Sequence, residues 1–175
     1  MRLETERLII RDITTGDAEF QLDLMNRPKW IEFIGDRGVR SLEQARDYIE
    51  DRMLPQLDRL GFTNNVIELK PTSQPIGTCG LYDREGVTGL DIGYALLSEH
   101  EGQGYAREAC AALLQYAKEK LNQQQVRAIV LPNHERSIHL LNKLGFDFEE
   151  KVNIPNDPEE LNLYVLDLSK FNRQH

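Results

Sequence analysis

Apolar and polar positions follow two different periods along the 175-residue chain. The stretch RLIIRDI at 7–13 is apolar, β-branched and edged by charge, as an opening strand requires. Thr15 or Asp17 can then cap a helix whose apolar face is Phe20, Leu24 and Met25. Ser41 and Gln44 have the S-x-x-Q form of a capping box and open a long polar helix to about residue 60. Pro55 predicts a kink or a division within it, and Gly61 predicts its end.

Beyond Gly61 the period shortens. Residues 62–69 (FTNNVIEL) and 76–82 (IGTCGLY) read as strands joined by the turn chemistry of KPTSQP. A second turn at REGVTG leads into LDIGYALL at 90–97, a near-continuous apolar run suited to a strand buried on both faces. Helical spacing returns at Ala106, Ala109, Cys110, Leu113, Leu114, Ala117 and Leu121, a single apolar stripe. VRAIVLP at 126–132 is the next strand, Glu135 to Leu144 a shorter helix ended by Gly145, and 146–152 and 161–168 complete the sheet. The predicted order is β-α-α-β-β-β-α-β-α-β-β, an α/β (α+β) fold with a mixed sheet of about seven strands and helices packed on it. No internal repeat, low-complexity tract or Pro/Ser-rich linker interrupts it, which predicts a single domain over 1–175.

Composition narrows the partners. A net charge of −8 argues against a nucleic-acid groove and is compatible with cationic substrates such as amines. No signal-peptide core is present in MRLETERLIIRD, and no apolar run approaches the ~20 residues of a membrane span. Cys79 and Cys110 lie far apart and read as buried or indifferent thiols, so the expected location is the cytoplasm.

The candidate chemistry centres on SEHEGQGYAREA at 98–109. Gly102 and Gly104 separate a strand from a helix N-terminus, where unpaired amides and the helix dipole favour an anion. The same spacing also suits a plain strand-to-helix turn. A dinucleotide fingerprint would need Gly or Ala at position 107, which is Arg107, and an acidic ribose ligand near Gln124. A Walker A loop fails because no G-K-[ST] is present.

The run Glu99 to Ala106 resembles the acyl-CoA loop of the GNAT N-acetyltransferases, [RQ]-x-x-G-x-[GA]. The resemblance covers essentially the whole chain, with ETERLIIRDI, PIGTCGL, DIGYALL, GQGYAREA and N-x-x-x-S…K-x-G-F in the expected order. Together these motifs are similar to the branch holding the ribosomal-protein alanine and serine N-terminal acetyltransferases. The resemblance implies a GNAT fold, with a mostly antiparallel central sheet carrying helices on both faces. It implies acetyl transfer from acetyl-CoA to a primary amine, by direct attack in a ternary complex. The acceptor would be a protein N-terminus, such as that of a ribosomal protein, or a small molecule such as a polyamine, aminoglycoside or amino-acid-like compound. A monomer or a homodimer fits it, as does a different outcome, an acetyl-CoA-binding sensor without turnover.

Carried over residue by residue, the pantetheine arm would pair with the backbone of Tyr94, Ala95 and Leu96. The pyrophosphate would lie on the amides of Glu101, Gly102, Gln103, Gly104, Tyr105 and Ala106. Asp91 stands where related sequences commonly carry Glu, as the base or the amine-orienting group; a solvent-facing aspartate at a strand edge is its bland alternative. The amide near Leu96 would serve as the oxyanion donor. Asn133 would contact the CoA arm and Ser137 would protonate the leaving thiolate, although an N-cap or turn residue and an ordinary helix serine fit the same pattern.

Two residues depart from the family pattern. Glu99 replaces Arg or Gln at the head of the loop, and Leu141 replaces a tyrosine found in many members. The spacing of His134 and His139 does not suit a helical metal pair, so no metal site is expected. Trp30, Phe33 and Arg37, in a loop between the first helices, are candidates either to line an acceptor pocket or to plug the surface. PNDPEE at 155–160 reads as a solvated hairpin loop.

Overall fold

The computed structural model describes residues 1–173. Its eight strands are β1 (Arg2–Glu4), β2 (Leu8–Asp12), β3 (Asn64–Leu69), β4 (Gln74–Tyr82), β5 (Asp91–Leu96), β6 (Gln125–Val130), β7 (Asp147–Val152) and β8 (Leu161–Asp167). The helices are α1 (Ala18–Met25), α2 (Pro28–Phe33), α3 (Leu42–Tyr48), α4 (Leu54–Leu60), α5 (Tyr105–Glu119) and α6 (Glu135–Leu144). Eight strands replace the expected seven because β1, only three residues long, pairs antiparallel with β2 through Arg2↔Arg11, Leu3↔Ile10 and Glu4↔Ile9. Its exposed, charged sequence carries no apolar alternation. Among the described residues, no helix is long and apolar enough to cross a membrane.

The chain forms two compact units. Met1–Gly80 and Tyr94–Ala109 make the first. Here β1, β2, β3 and β4 follow one another as hydrogen-bonded neighbours, with the C-terminal half of β5 beside β4. Ile13, Ala18, Met25, Val39, Ala45, Ile49, Met53 and Val66 form a buried apolar cluster, against which Phe20, Trp30 and Tyr48 pack. An ion-pair network fixes the entry to α1: Arg11 donates from Nε to Glu68 at 2.8 Å and from its terminal nitrogens to Asp17 at 2.8 and 2.9 Å.

Local chemistry accounts for the helix boundaries. The turn before α1 is capped by Thr14, not by Thr15 or Asp17: Thr14 Oγ1 accepts from the Gly16 amide, and the Asp17 carboxylate accepts from the Thr14 amide at 2.8 Å. Residues 28–33 form α2, with Pro28 in the first turn where its missing N–H costs nothing, so Trp30 and Phe33 sit on a helix instead of a loop. Ser41 Oγ accepts from the Gln44 amide at 3.1 Å, while Gln44 Oε1 accepts from the Arg40 amide at 2.7 Å, one residue earlier than a full capping box. Pro55 leaves its mark as a π-helical turn over Ile49–Met53, where the Leu54 amide reaches back five residues to Ile49 O. The axis is re-registered there and α4 begins with Pro55 in its first turn. Gly61 ends α4 in the left-handed region.

Leu81–Gly93 together with Cys110 onward make the second unit, in which the strand order is β5-β6-β8-β7. β5 and β6 run parallel through Asp91↔Arg127, and the Arg127 amide donates to Leu90 O at 2.9 Å. β8 pairs antiparallel with both β6 and β7. Val126, Ala128 and Val130 are buried alternately along β6, as a period-two strand requires. α6 spans Glu135–Leu144 and ends at Gly145 with φ 98°, in agreement with the sequence pattern. The segment 155–160 is exposed apart from the half-buried Asp157.

Gly77 of the PIGTCGL stretch shows why that strand needs a glycine. A Cβ there would stand 2.3 Å from Ala95 O and 2.6 Å from Leu96 Cδ2. Gly77→Ala is expected to lower the unfolding free energy by about 3 kcal/mol, the upper range for overpacking, as measured by urea denaturation. A loss under about 0.5 kcal/mol would show that the two strands yield to each other.

Candidate functional site

β5 changes character along its length. Asp91 and Ile92 are buried, whereas Gly93, Tyr94, Ala95 and Leu96 are half-buried. The expectation of a strand buried on both faces therefore holds only at its start. Leu97 anchors the exit by donating its amide to Ile76 O at 2.8 Å. A 3-10 turn over Ser98–His100 follows, and then the exposed glycine loop.

Gly102 and Gly104 have φ of 76° and 83°, the left-handed region that β-carbons disfavour. Beyond them α5 begins at Tyr105, and the Glu108 amide is the one that reaches back to Gly104 O, at 3.0 Å. Amides ahead of it in the first turn have no intrahelical acceptor. The loop is secured instead through side chains and a carbonyl. Arg27 donates to the two Glu99 oxygens at 3.1 and 3.3 Å, and Lys29 Nζ pairs with Glu101 at 2.5 Å. Arg7 donates to Gln103 O at 2.9 Å and to Glu108 at 2.7 Å.

These contacts explain Glu99, the acidic departure at the head of the motif. Its carboxyl is held below the usual range, first by a bond to its own backbone amide and then, against the opposing effect of burial, by the hydrogen bond and charge of Arg27. Arg27 also binds Asp23 at 2.9 and 3.0 Å, so one guanidinium serves two carboxylates. Glu99 is thus an anchor to the α1–α2 junction, ion-paired to a guanidinium that it shares with Asp23. Its partner lies 72 positions away in sequence, which is why local reading could not supply it.

In the second unit, Asp91 is 1% exposed, not a solvent-facing edge residue. Its Oδ2 accepts from Arg84 Nε at 2.7 Å, and its Oδ1 is buried with no hydrogen-bond partner. Burial drives its pKa up; the charge and hydrogen bond of Arg84 oppose this, and the neighbouring Asp83 adds to it. Arg84 also lies over the Tyr82 ring, 5.1 Å from the centroid. Sequence reasoning missed Arg84, because nothing in DREGVTGLD marks which charged residue of the turn folds back.

Ser137 is buried on α6, on the same buried face as Leu141 one turn later. Asn133 is exposed in the turn before α6, and the N-cap position itself belongs to His134. Cys79 and Cys110 are buried and not joined in a disulfide, and burial pushes the Cys110 thiol up to about 12. A thiol in that state is a poor nucleophile. Trp30 is half-buried with an unpartnered Nε1, Phe33 is half-buried and Arg37 is exposed.

Residues 7–147 match the family model described as acetyltransferase (GNAT) domain. The chain is 33% identical over 172 residues to uncharacterized N-acetyltransferase p20 of Bacillus licheniformis, covering 97% of this chain and 93% of that protein. It is similar in structure to an acetyltransferase from Agrobacterium tumefaciens, with TM-score 0.80 and 28% identity over 95% and 94% of the two chains. The fold is shared with a ribosomal L7/L12 alpha-N-protein acetyltransferase solved with coenzyme A, at TM-score 0.81, 16% identity and 95% and 98% coverage.

Removing the Arg84 guanidinium takes away the groups that oppose desolvation of Asp91. Arg84→Met is expected to move the Asp91 carboxyl titration, followed by carbon NMR, to higher pH. The folded state then binds that proton more tightly than the unfolded chain. Stability accordingly falls as pH rises from the ordinary carboxylate range through the raised value. An unmoved NMR midpoint would show that Arg84 does not set the Asp91 charge.

Proposed function

The chain belongs to the GNAT acetyltransferases, and we propose that it transfers the acetyl group of acetyl-CoA to the primary amine of a protein N-terminus. The observation that carries the donor assignment is the loop at 101–106: exposed at 102–104, bent through two positive-φ glycines, and opening a fifteen-residue helix. Such a junction aims unpaired amides at an anion. It also has room for one, since a Cβ on Gly102 would meet nothing within 4 Å. Acetyl-CoA supplies an activated thioester; the remaining work falls to the chain's own groups.

The amides of Gly102, Gln103, Gly104, Tyr105 and Ala106 hold the pyrophosphate; that of Glu101 is not available for it, because it donates to Ser98 O at 3.2 Å. Tyr94, Ala95 and Leu96 are half-buried, and the extended pantetheine arm runs alongside them as an added strand would. The Leu96 amide polarises the thioester carbonyl. Asn133, exposed ahead of α6, contacts the arm.

An ammonium cannot attack until it loses a proton. Asp91 takes it, directly or through one water, on Oδ1, the oxygen that Arg84 does not engage. Leu141 is buried and apolar, so the hydroxyl on that face of α6 is Ser137, which protonates the departing thiolate. The Cys110 thiol is not an acyl carrier, because direct attack needs no covalent enzyme intermediate.

The motif order supports an N-terminal amine as acceptor. So does the sharing of this fold with proteins named as ribosomal-protein acetyltransferases. An acidic chain also suits a cationic acceptor. Thiol release should be faster with peptides bearing free N-termini than with polyamines or aminoglycosides. Turnover confined to a small amine would overturn the acceptor, and tight acetyl-CoA binding without turnover on any amine would overturn catalysis. Asp91→Asn is expected to lower kcat by about 100-fold, the ordinary worth of a general base, with little change in the KM for acetyl-CoA. Gly104→Val, which places a branched side chain at φ 83°, should abolish acetyl-CoA binding measured by calorimetry while the circular dichroism spectrum is retained.

A further inference from the structure

The opening stretch ETERL has no part in the chemistry above, yet the fold folds it onto the donor loop. Thr5 Oγ1 donates to Glu108 Oε1 at 2.5 Å, and the Arg7 amide donates to the same oxygen at 2.8 Å. Arg7 Nε donates to Glu108 Oε2 at 2.7 Å, closing a fork on a carboxylate in the first turn of α5. The same guanidinium turns its NH1 to Gln103 O at 2.9 Å, between the two loop glycines. Its carbon lies 4.4 Å from the centroid of the Tyr105 ring, and its NH2 is 3.3 Å from where a Cβ on Gly104 would stand. One side chain therefore touches the loop carbonyl, the first aromatic of the helix and the helix's first-turn carboxylate.

We propose that Arg7, seated by Thr5 and Glu108, is a positioning residue that fixes the 102–105 backbone in its anion-gripping conformation. The inference rests on the reading of that loop as the pyrophosphate grip. Two features separate positioning from direct phosphate binding. Two of the guanidinium's five N–H donors serve the Glu108 carboxylate and the Gln103 carbonyl, so groups of the protein fix its plane before any ligand arrives. Its bond to Gln103 falls on the oxygen side of the loop, so the amides stay available. Tyr105 stacking adds a contact that a lysine could not copy with the same planar geometry.

Such a residue acts on donors that carry the pyrophosphate and not on donors that lack it. The test compares acetyl-CoA with S-acetylpantetheine, which keeps the thioester and arm alone, and measures the Kd for CoA by calorimetry. In wild type, kcat/KM should favour acetyl-CoA. Arg7→Met should weaken CoA binding and reduce the acetyl-CoA preference by at least about ten-fold, equivalent to about 1.4 kcal/mol. General damage to the fold lowers both donors together and leaves the ratio alone, so an unchanged ratio overturns the proposal. Glu108→Gln keeps the Arg7 charge but loosens its seat, and should reduce the ratio several-fold. A preserved or increased ratio in that variant would make Arg7 a direct phosphate ligand and overturn positioning. Arg2→Met, which breaks only an exposed pair with Glu4, is the control and should match wild type. If wild type itself shows no preference for acetyl-CoA, the pyrophosphate assignment fails first, and this inference with it.

Discussion

A loop that grips an anion with its amides has to be held rigid without using those amides. On the proposed reading of the glycine loop, this constraint organises the first unit. Gly102 and Gly104 supply left-handed backbone, but two glycines in an exposed loop also carry the greatest conformational freedom. Restraint comes from the opposite chemistry. Arg7, Arg27 and Lys29 each donate to an oxygen of the loop or its flanks: Gln103 O, Glu108, Glu99 and Glu101. Carboxylates so close to an anion site would repel it if they stood alone. Each is paired with a cation, Arg27 being shared with Asp23, so their repulsion is offset in part and the helix dipole and amides retain their attraction.

This arrangement also explains an apparent inconsistency in the chain. An acidic protein with acidic residues in its proposed phosphate loop looks ill suited to a polyanionic donor. The anions at 99, 101 and 108 are structural, and the cations that answer them come from β2's leading turn and the α1–α2 junction. Surface pairs of this kind contribute little stability individually. Their value here is geometric, since three of them meet one short segment.

The parts legible in sequence were those set by neighbours within a few residues. The α5 stripe, the Ser41 cap, the stops at Gly61 and Gly145 and the glycine loop all obey local rules, and the structure follows them. Pro55 was read correctly as a disturbance but not as a π-turn, since a proline marks a break in the helix without fixing how the backbone absorbs it. β1 and α2 escaped for the opposite reason: three charged-flanked residues and a six-residue helix carry too short a period to register. The proposed site divides along the same line. Its loop was visible, whereas Arg7, Arg27 and Arg84 were not, since an ion pair between distant residues leaves no spacing to find.

Asp91 shows what such a pair does to chemistry. A carboxylate that is 1% exposed would ordinarily protonate, because desolvation penalises its charge. A fully neutralised carboxylate, with both oxygens bonded, would be a poor proton acceptor. Arg84 engages only Oδ2, from a guanidinium that is itself partly exposed. That single bond opposes desolvation while Oδ1 keeps its lone pairs unshared. Burial raises the basicity that proton abstraction needs, and one-sided pairing with Arg84 opposes part of that rise. A shorter acid in place of the family's usual Glu is therefore compatible with the base role, since its environment and not its length sets its affinity for a proton.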